Sequence, residues 1–344
     1  MASLLCHNKA VFLPREPAAI RFRRDHALYS SDDNKHFYPF FPVQPLSSTK
    51  HRAIFVLGSS GTGKSKLAID LARRFDGEVV NSDKMQVYDG LCIITNKVTL
   101  EESVGVPHHL LGGVHPDADF SAADFRRAAI VAADEISARG RLPIIAGGSN
   151  SYIKELVAGD NGAFARRYDC CFIWVDVDYP VLDDFVAERV DSMVEQGLVE
   201  EARELFVPAA DYTKGIRRSI GVPEMDRFLR RESEAGEAEK AEMLADALDK
   251  IKANTCKLTR VQREKIQRFE AEDGWRLHRV DATLAVLRRR EPVAGRVWEE
   301  RVVVPSVEVV RRFFGGIGVM KRCGGVSAGD AAAVAAIAVV GATK

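Results

Sequence analysis

The chain has 344 residues, with 49 Lys or Arg against 49 Asp or Glu, 46% hydrophobic and 28% charged. That length allows one large or two modest domains, each with a real core, and the balanced charge excludes a disordered chain or a polyanion-coating protein, so any basic site is local. The longest apolar run, Ala331 to Val340, has ten residues, too few for the roughly 20 of a membrane-spanning helix. The six cysteines contain no C-x-x-C pair, so they suggest neither zinc nor a disulfide framework and fit a reducing compartment.

Residues 1–50 differ in character from the rest. Residues 1–24 carry five Lys or Arg against the single acid Glu16, and no helical or alternating period runs through to Lys50. Pro14 cuts the short apolar stretch Ala10 to Leu13, so a secretory apolar core is missing. Arg21, Arg23 and Arg24 with Ser30 and Ser31 instead fit an organellar transit peptide, the alternative being an unstructured extension of a cytosolic protein.

Ala53 to Leu57 is an apolar run of the kind found in a strand buried on both faces of a parallel sheet. It leads into Gly58-Ser59-Ser60-Gly61-Thr62-Gly63-Lys64-Ser65, which matches G-x-x-x-x-G-K-[ST], and then into the amphipathic segment Leu67 to Phe75. Glycines let the backbone wrap so that successive N–H groups point at phosphate oxygens, and the following helix start adds partial positive charge. Lys64 then neutralises the outer phosphate, and the Ser65 hydroxyl offers a ligand to Mg²⁺. Such a loop specifies phosphate without specifying which: a nucleoside triphosphate or any diphosphate with a suitable tail meets the same electrostatics.

A second strand, Glu78 to Asn81, places the following Ser82 and Asp83 at the same sheet edge as the phosphate loop. Asp83 there is either a carboxylate that takes a proton from a substrate or the N-cap of a helix behind it. His108 and His109 are adjacent and read as packing residues rather than a metal pair. Asp124 to Ala138 is amphipathic with a helical period. A third strand, Leu142 to Ala146, ends in Gly147-Gly148-Ser149-Asn150-Ser151-Tyr152, small enough for close approach of a ligand. A fourth, Cys171 to Asp176, ends on another carboxylate.

From Val181 to about Arg268 the periods become long and helical, and Arg230 to Met243 reads as a solvated helix or loop. Lys214, Arg217 and Arg218 fall within five residues of the segment Lys214-Gly215-Ile216-Arg217-Arg218-Ser219-Ile220-Gly221, either a solvated face or cations that reach a diphosphate across the cleft. Lys250, Lys257, Arg260, Arg263 and Lys265 give the same choice along the last long helix. Small residues dominate from Gly315. The alternation of strands and helices around the phosphate loop predicts a P-loop NTPase-like α/β fold, a parallel sheet flanked by helices with an attached helical subdomain. The expected organisation is a leader over 1–50, the core over 51–180, a helical subdomain over 181–312 that completes the cleft and returns to the core, and a disordered tail over 313–344.

Taken together, the phosphate loop, Asn81 to Tyr88, Thr95-Asn96-Lys97, Gly105 to Leu110, Ala123 to Arg126, Leu142 to Tyr152, Gly215 to Glu224 and Asn254-Thr255-Cys256 resemble the plant adenylate isopentenyltransferases of cytokinin biosynthesis, over roughly residues 52–312. The resemblance implies transfer of a dimethylallyl group from dimethylallyl diphosphate to N6 of AMP, ADP or ATP, with Mg²⁺ as cofactor. It further implies that the phosphate loop, Gly58 to Ser65, holds the prenyl donor; that Lys64 and Arg218 stabilise the departing diphosphate; that Ser60, where relatives usually have Thr, touches the donor near its bridging oxygen; and that Asp83 is the base. Ser82, Asp83 and Lys214 then bind the acceptor nucleotide, Lys214 favouring ADP or ATP. Val261 departs from the family pattern, which often has Arg there. A plastid location and a monomer are expected, with no membrane partner. Other readings are a tRNA dimethylallyltransferase, against which zero net charge and the lack of a C-terminal zinc finger count; a small-molecule kinase with Asp176 holding Mg²⁺; and a regulatory nucleotide-binding module.

Overall fold

A computed structural model describes residues 50–315; the leader and most of the expected tail lie outside the described residues. The apolar run at the start forms β1 (His51–Leu57), with no exposure from Ala53 onward. After the phosphate loop come α1 (Lys64–Phe75), β2 (Gly77–Asn81), the single turn α2 (Leu100–Ser103) and the two-residue β3 (His108–His109). Helix α3 (Ala122–Ala138) starts at a capping box in which Ser121 and Asp124 satisfy each other's backbone N–H groups. It leads to β4 (Leu142–Ala146), to α4 (Asn150–Arg167), which is broken by non-helical backbone at Gly159 to Gly162, and to β5 (Tyr168–Asp176).

The six strands are all parallel in the order β3-β2-β4-β1-β5-β6, β6 being the late strand Leu277–Asp281. Alternate residues of each central strand enter opposite cores. Phe55, Leu57, Val80, Ile145, Phe172 and Trp174 face α3 and α4, whereas Ile54, Val56, Val79, Ile144, Ile173 and Val175 face α1 and the C-terminal helices. Burial on both faces is why these strands read as unbroken apolar runs. Strands β3 and β6 were not expected. The first is too short to show a period, and β6, with the sequence Leu-His-Arg-Val-Asp, is a half-exposed edge carrying one buried residue.

The helical part is α5 (Tyr179–Gln196), α6 (Leu198–Leu205), a 3₁₀ turn over Gly215–Arg218, α7 (Asp226–Arg231) and the long α8 (Glu237–Ala271). After β6 the chain returns to the α1 side as α9 (Thr283–Leu287), α10 (Ala294–Trp298), a π turn and α11 (Val304–Gly315). Residues 313–315, expected in the tail, are instead the end of α11. Phe314 lies 6.0 Å from Phe75 and under the Arg52 guanidinium, a contact that extends α11 through Gly315. No described helix is long and apolar enough to cross a membrane.

At the sheet edge away from the phosphate loop, Glu78 is 3% exposed. Its carboxylate accepts hydrogen bonds from His109 Nε2 at 2.6 Å, Arg139 Nη2 at 2.7 Å and Arg141 Nη1 at 3.0 Å, joining β2, β3 and the turn into β4. Burial alone would raise this carboxyl, but Arg139 and His109 outweigh it and hold it at about 2, below the ordinary 4.5. A carboxylate depressed on folding contributes stability above its unfolded value and loses it as pH falls. Glu78 is therefore expected to add about 3 kcal/mol above pH 4.5 and to lose it progressively toward pH 2. Urea unfolding across that range checks this, with Glu78→Gln giving a curve shallower by that amount.

Candidate active site

The phosphate loop is wound onto its own carbonyl. The Ser59 carbonyl accepts hydrogen bonds from Lys64 Nζ at 2.6 Å and Thr62 Oγ1 at 3.0 Å, and Ser59 Oγ donates to the Thr259 carbonyl in α8 at 2.8 Å. Gly63 opens α1 at φ 90°, and a Cβ there would lie 2.6 Å from the Trp298 ring of α10, so both backbone and space require glycine. Trp298 is itself fixed by donating Nε1–H to Asp70 at 2.8 Å, with Lys66 over its ring.

Asp83 follows the end of β2. Asn81 Oδ1 accepts the Asp83 N–H at 3.1 Å, and Asp83 Oδ1 accepts the Met85 N–H at 2.9 Å. The expected helix cap is thus an Asx turn, because residues 84–87 form turns and no helix. Beside it runs the loop after β4, where any Cβ on Gly147 would collide with the backbone of Ser82. A single side chain of α8 ties this loop to the phosphate loop. Gln262 Oε1 accepts the Ser60 N–H at 2.8 Å, and its Nε2 donates to the Gly148 carbonyl at 3.0 Å.

Two adjoining cavities open at this edge. One, of about 310 Å³, is walled by Ser60, Gly61, Gly63, Lys64 and Ser65; the other, of about 360 Å³, lies between the Asp83 to Met85 turn, the Gly148 loop, α5 and α8. Their common wall is Ser60, Asp83, Thr95, Asn96, Gly148, Arg189, Leu258 and Gln262. Among the described residues lining either cavity, Asp83 is the only carboxylate.

The smaller cavity is cationic. Burial lowers the Lys64 ammonium to about 8, against an opposing pull from Asp83 and with help from Arg189. Arg189, from α5, donates Nη2–H to Ser60 Oγ at 2.8 Å, and burial lowers its pKa although Asp83 resists. Two desolvated cations facing one carboxylate leave an excess of positive charge suited to an anion. The larger cavity has its own cations, Lys84, Arg218 and Lys265, facing an apolar wall that includes Ile94, Val190, Met193, Ile251 and Val261. Burial, then the neighbouring Arg218, lowers the Lys84 ammonium.

Of the residues expected from the sequence, Ser60, Gly61, Gly63, Lys64, Ser65 and Asp83 meet in the smaller cavity. Gly58, Ser59 and Thr62 lie in the loop beneath it, and Ser82 is fully buried with no partner for its hydroxyl. Arg218 lines the larger cavity, which shares Ser60 and Asp83 with the smaller one, and is held by the Gly215 carbonyl at 3.2 Å and Tyr88 Oη at 3.3 Å. Lys214 lines neither cavity; its side chain is 62% exposed and lies 3.8 Å from Asp211. Asp176, the metal ligand of a kinase reading, is committed to Arg263 at 2.9 Å and Arg279 at 2.7 Å. Along α8 only Lys265 faces the cleft; Arg260 and Lys250 pair with Asp183 and Asp246.

Arg189 and Gln262 went unread in the sequence. The signal for Arg189 is its position on the apolar stripe of α5, three residues after Val186 and four before Met193. Gln262 gives no comparable signal inside a long polar helix. For a metal, the described residues hold no group of three or more His, Cys, Asp or Glu side chains. Ser65, in the first turn of α1 and open to the cavity, suits Mg²⁺, which binds through few protein ligands together with phosphate oxygens and water.

A sequence model of the IPP transferase family matches residues 86–165 and 160–268. Adenylate isopentenyltransferase 5, chloroplastic, of Arabidopsis thaliana is 56% identical over 272 residues, covering 78% of this chain and 82% of the relative. Adenylate isopentenyltransferase 7, mitochondrial, of the same plant is 50% identical, covering 79% and 83%. The fold is similar to that of a eukaryotic dimethylallyltransferase acting on tRNA, with a TM-score of 0.63 at 20% identity over 79% of this chain and 81% of that one. It is also similar to a tRNA isopentenylpyrophosphate transferase of Staphylococcus epidermidis, with a TM-score of 0.58 at 22% identity over 76% and 100%.

The geometry sets an expectation for inorganic pyrophosphate. Lys64→Ala and Arg189→Ala each weaken its binding about ten- to a hundredfold, as for lost charge-assisted hydrogen bonds, and Lys214→Ala leaves it unchanged. Because Lys64 is charged below about 8, affinity falls as pH rises through that value. Titration calorimetry of each variant at pH 7 and pH 9 checks both statements.

Proposed function

The chain belongs to the IPP transferase family and, within it, to the adenylate isopentenyltransferases; from that membership we propose that it transfers the dimethylallyl group of dimethylallyl diphosphate to the exocyclic N6 of ADP or ATP, with AMP an alternative acceptor, as the first step of cytokinin biosynthesis. The observation that carries this reading is the place of Asp83, the one carboxylate in the common wall between a phosphate cavity and a larger, partly apolar cavity.

In the proposed reaction the C1–O bond of the donor breaks, C1 bonds to N6, the N6 proton passes to Asp83 and diphosphate leaves. Negative charge grows on the leaving group as the C–O bond opens, so donors aimed at it stabilise the transition state more than the ground state. Those donors are the loop N–H groups, Lys64 and Arg189, with the Ser60 hydroxyl accepting from Arg189 on the same wall. Adenine N6 is a weak nucleophile because its lone pair enters the ring, and a carboxylate accepting its proton supplies about a 10²–10⁴-fold gain. Lys84, Arg218 and Lys265 line the cavity proposed for the acceptor and suit its phosphates, whereas Lys214 lines neither cavity in this structure. Leu258, common to both cavities, and Val261 give the allyl group an apolar wall. Ser65 would be the residue to hold Mg²⁺, whose chemistry there would be neutralisation of the departing diphosphate.

Plant relatives at 50–56% identity favour a nucleotide acceptor over tRNA. Asp176 is held by two arginines, which disfavours the kinase alternative. The chloroplastic relative and the leader composition point to a plastid.

Labelled dimethylallyl diphosphate offered with Mg²⁺ and ADP, ATP, AMP or unmodified tRNA in turn is expected to label ADP and ATP, and chelation to suppress the reaction. Label confined to tRNA overturns the acceptor assignment. Asp83→Asn is expected to lower kcat by about 10²–10⁴-fold with donor KM nearly unchanged; a large rise in donor KM would place Asp83 on the phosphate side instead. Residues 1–50 fused to a fluorescent protein are expected in plastids of plant cells, and mitochondrial fluorescence would refute that location.

A further inference from the structure

Between Leu91 and Lys97 the chain forms a run of turns rather than a helix. Thr95 N–H donates to the Leu91 carbonyl at 3.0 Å, Asn96 N–H to the Ile93 carbonyl at 2.9 Å and Lys97 N–H to the Cys92 carbonyl at 2.9 Å. The leading N–H groups of such a turn have no carbonyl behind them within it. A carboxylate from a different layer takes that place. Glu201, in α6, accepts the Ile93 N–H at 3.0 Å and the Ile94 N–H at 2.7 Å, and the Cys92 N–H also points to it.

Glu201 is held firmly. Leu198, Val199 and Ala202 bury the apolar face of α6 in the same core as Leu91 and Ile94. Burial pushes the Glu201 carboxyl above its ordinary range despite the N–H donors and Lys97. What it caps is part of the site. Thr95 and Asn96 belong to the wall shared by the two cavities, and Ile94 lines the larger one. From the opposite side Gln86 Nε2 donates to the carbonyls of Thr95 at 2.9 Å and Asn96 at 3.0 Å. Asn96 sits at φ 51°, a left-handed backbone that Asn adopts more readily than most side chains.

We propose that Glu201 is a positioning residue for the transfer reaction, fixing Thr95 and Asn96 from the helical layer where the two substrates meet. This rests on the prenyl-transfer reading. Alignment of two reactants is sensitive to displacements of about 1 Å, which cost up to about a hundredfold in rate while leaving most binding contacts intact.

The test compares wild type, Glu201→Gln, Glu201→Asp and Asn96→Ala, each in steady state with dimethylallyl diphosphate and ADP. Glutamine keeps the shape but turns an N–H₂ group toward N–H donors; aspartate keeps the charge but retracts it. Glu201→Gln is expected to lower kcat about ten- to a hundredfold, with KM for both substrates within about threefold and the same folded fraction at assay temperature, and Glu201→Asp to fall between it and wild type. In the Asn96→Ala background the Glu201→Gln change is expected to shrink below about twofold, because the group it positions is gone. A kcat for both variants within twofold of wild type, or independent losses that multiply in the double variant, overturns the proposal. A wild type that yields no prenylated nucleotide defeats the prenyl-transfer reading instead, and that is seen before any variant is compared.

Discussion

One amide side chain sets the width of the cleft. Gln262 accepts from the phosphate loop and donates to the loop after β4, so two segments 88 residues apart in sequence, Ser60 and Gly148, are held at the span of a single carboxamide. The Gln262 carbonyl also accepts from Asn150 Nδ2 at 2.8 Å, and Ser59 bonds to Thr259 one turn earlier on α8. The sheet supplies the loops and α8 fixes their separation. This is why a helix far along the chain has to be counted as part of the phosphate site, even though it carries none of the motif.

The second constraint is electrostatic. Lys64 and Arg189 are both desolvated, and Asp83 alone stands against them in the lining. Buried cations without enough counter-charge are costly. They persist where the missing charge arrives with a ligand, and in the proposed reaction the donor's diphosphate would supply it. The same arrangement leaves Asp83 between a region that demands negative charge and one that admits a flat apolar group, which is the geometry a base needs when a neutral amine displaces an anion.

What the sequence made legible follows from local physics. Ala53 to Leu57 and Leu142 to Ala146 are buried on both faces, so their burial is written as apolar runs; the phosphate loop is a contiguous backbone motif; Asp83 sits at a strand end. The edge strands β3 and β6 are half wet and left no such mark. Cations were hardest to place. Lys214 and Arg218 are four residues apart around a 3₁₀ turn, and only the fold decides that one faces the cleft and the other solvent. Arg189 and Gln262 act through long-range packing of α5 and α8 over the sheet edge, information that no local window contains.

The Trp298 ring that covers Gly63 comes from the far end of the described chain. As the polypeptide leaves the ribosome, the motif emerges about 230 residues before the indole that packs on its Gly63. A nascent chain therefore carries the whole signature of an anion cradle long before the ring behind it is made. Premature termination ahead of α10 leaves a product with an intact motif and no indole against Gly63, so the motif alone is a poor guide to whether a shortened transcript still encodes a working protein.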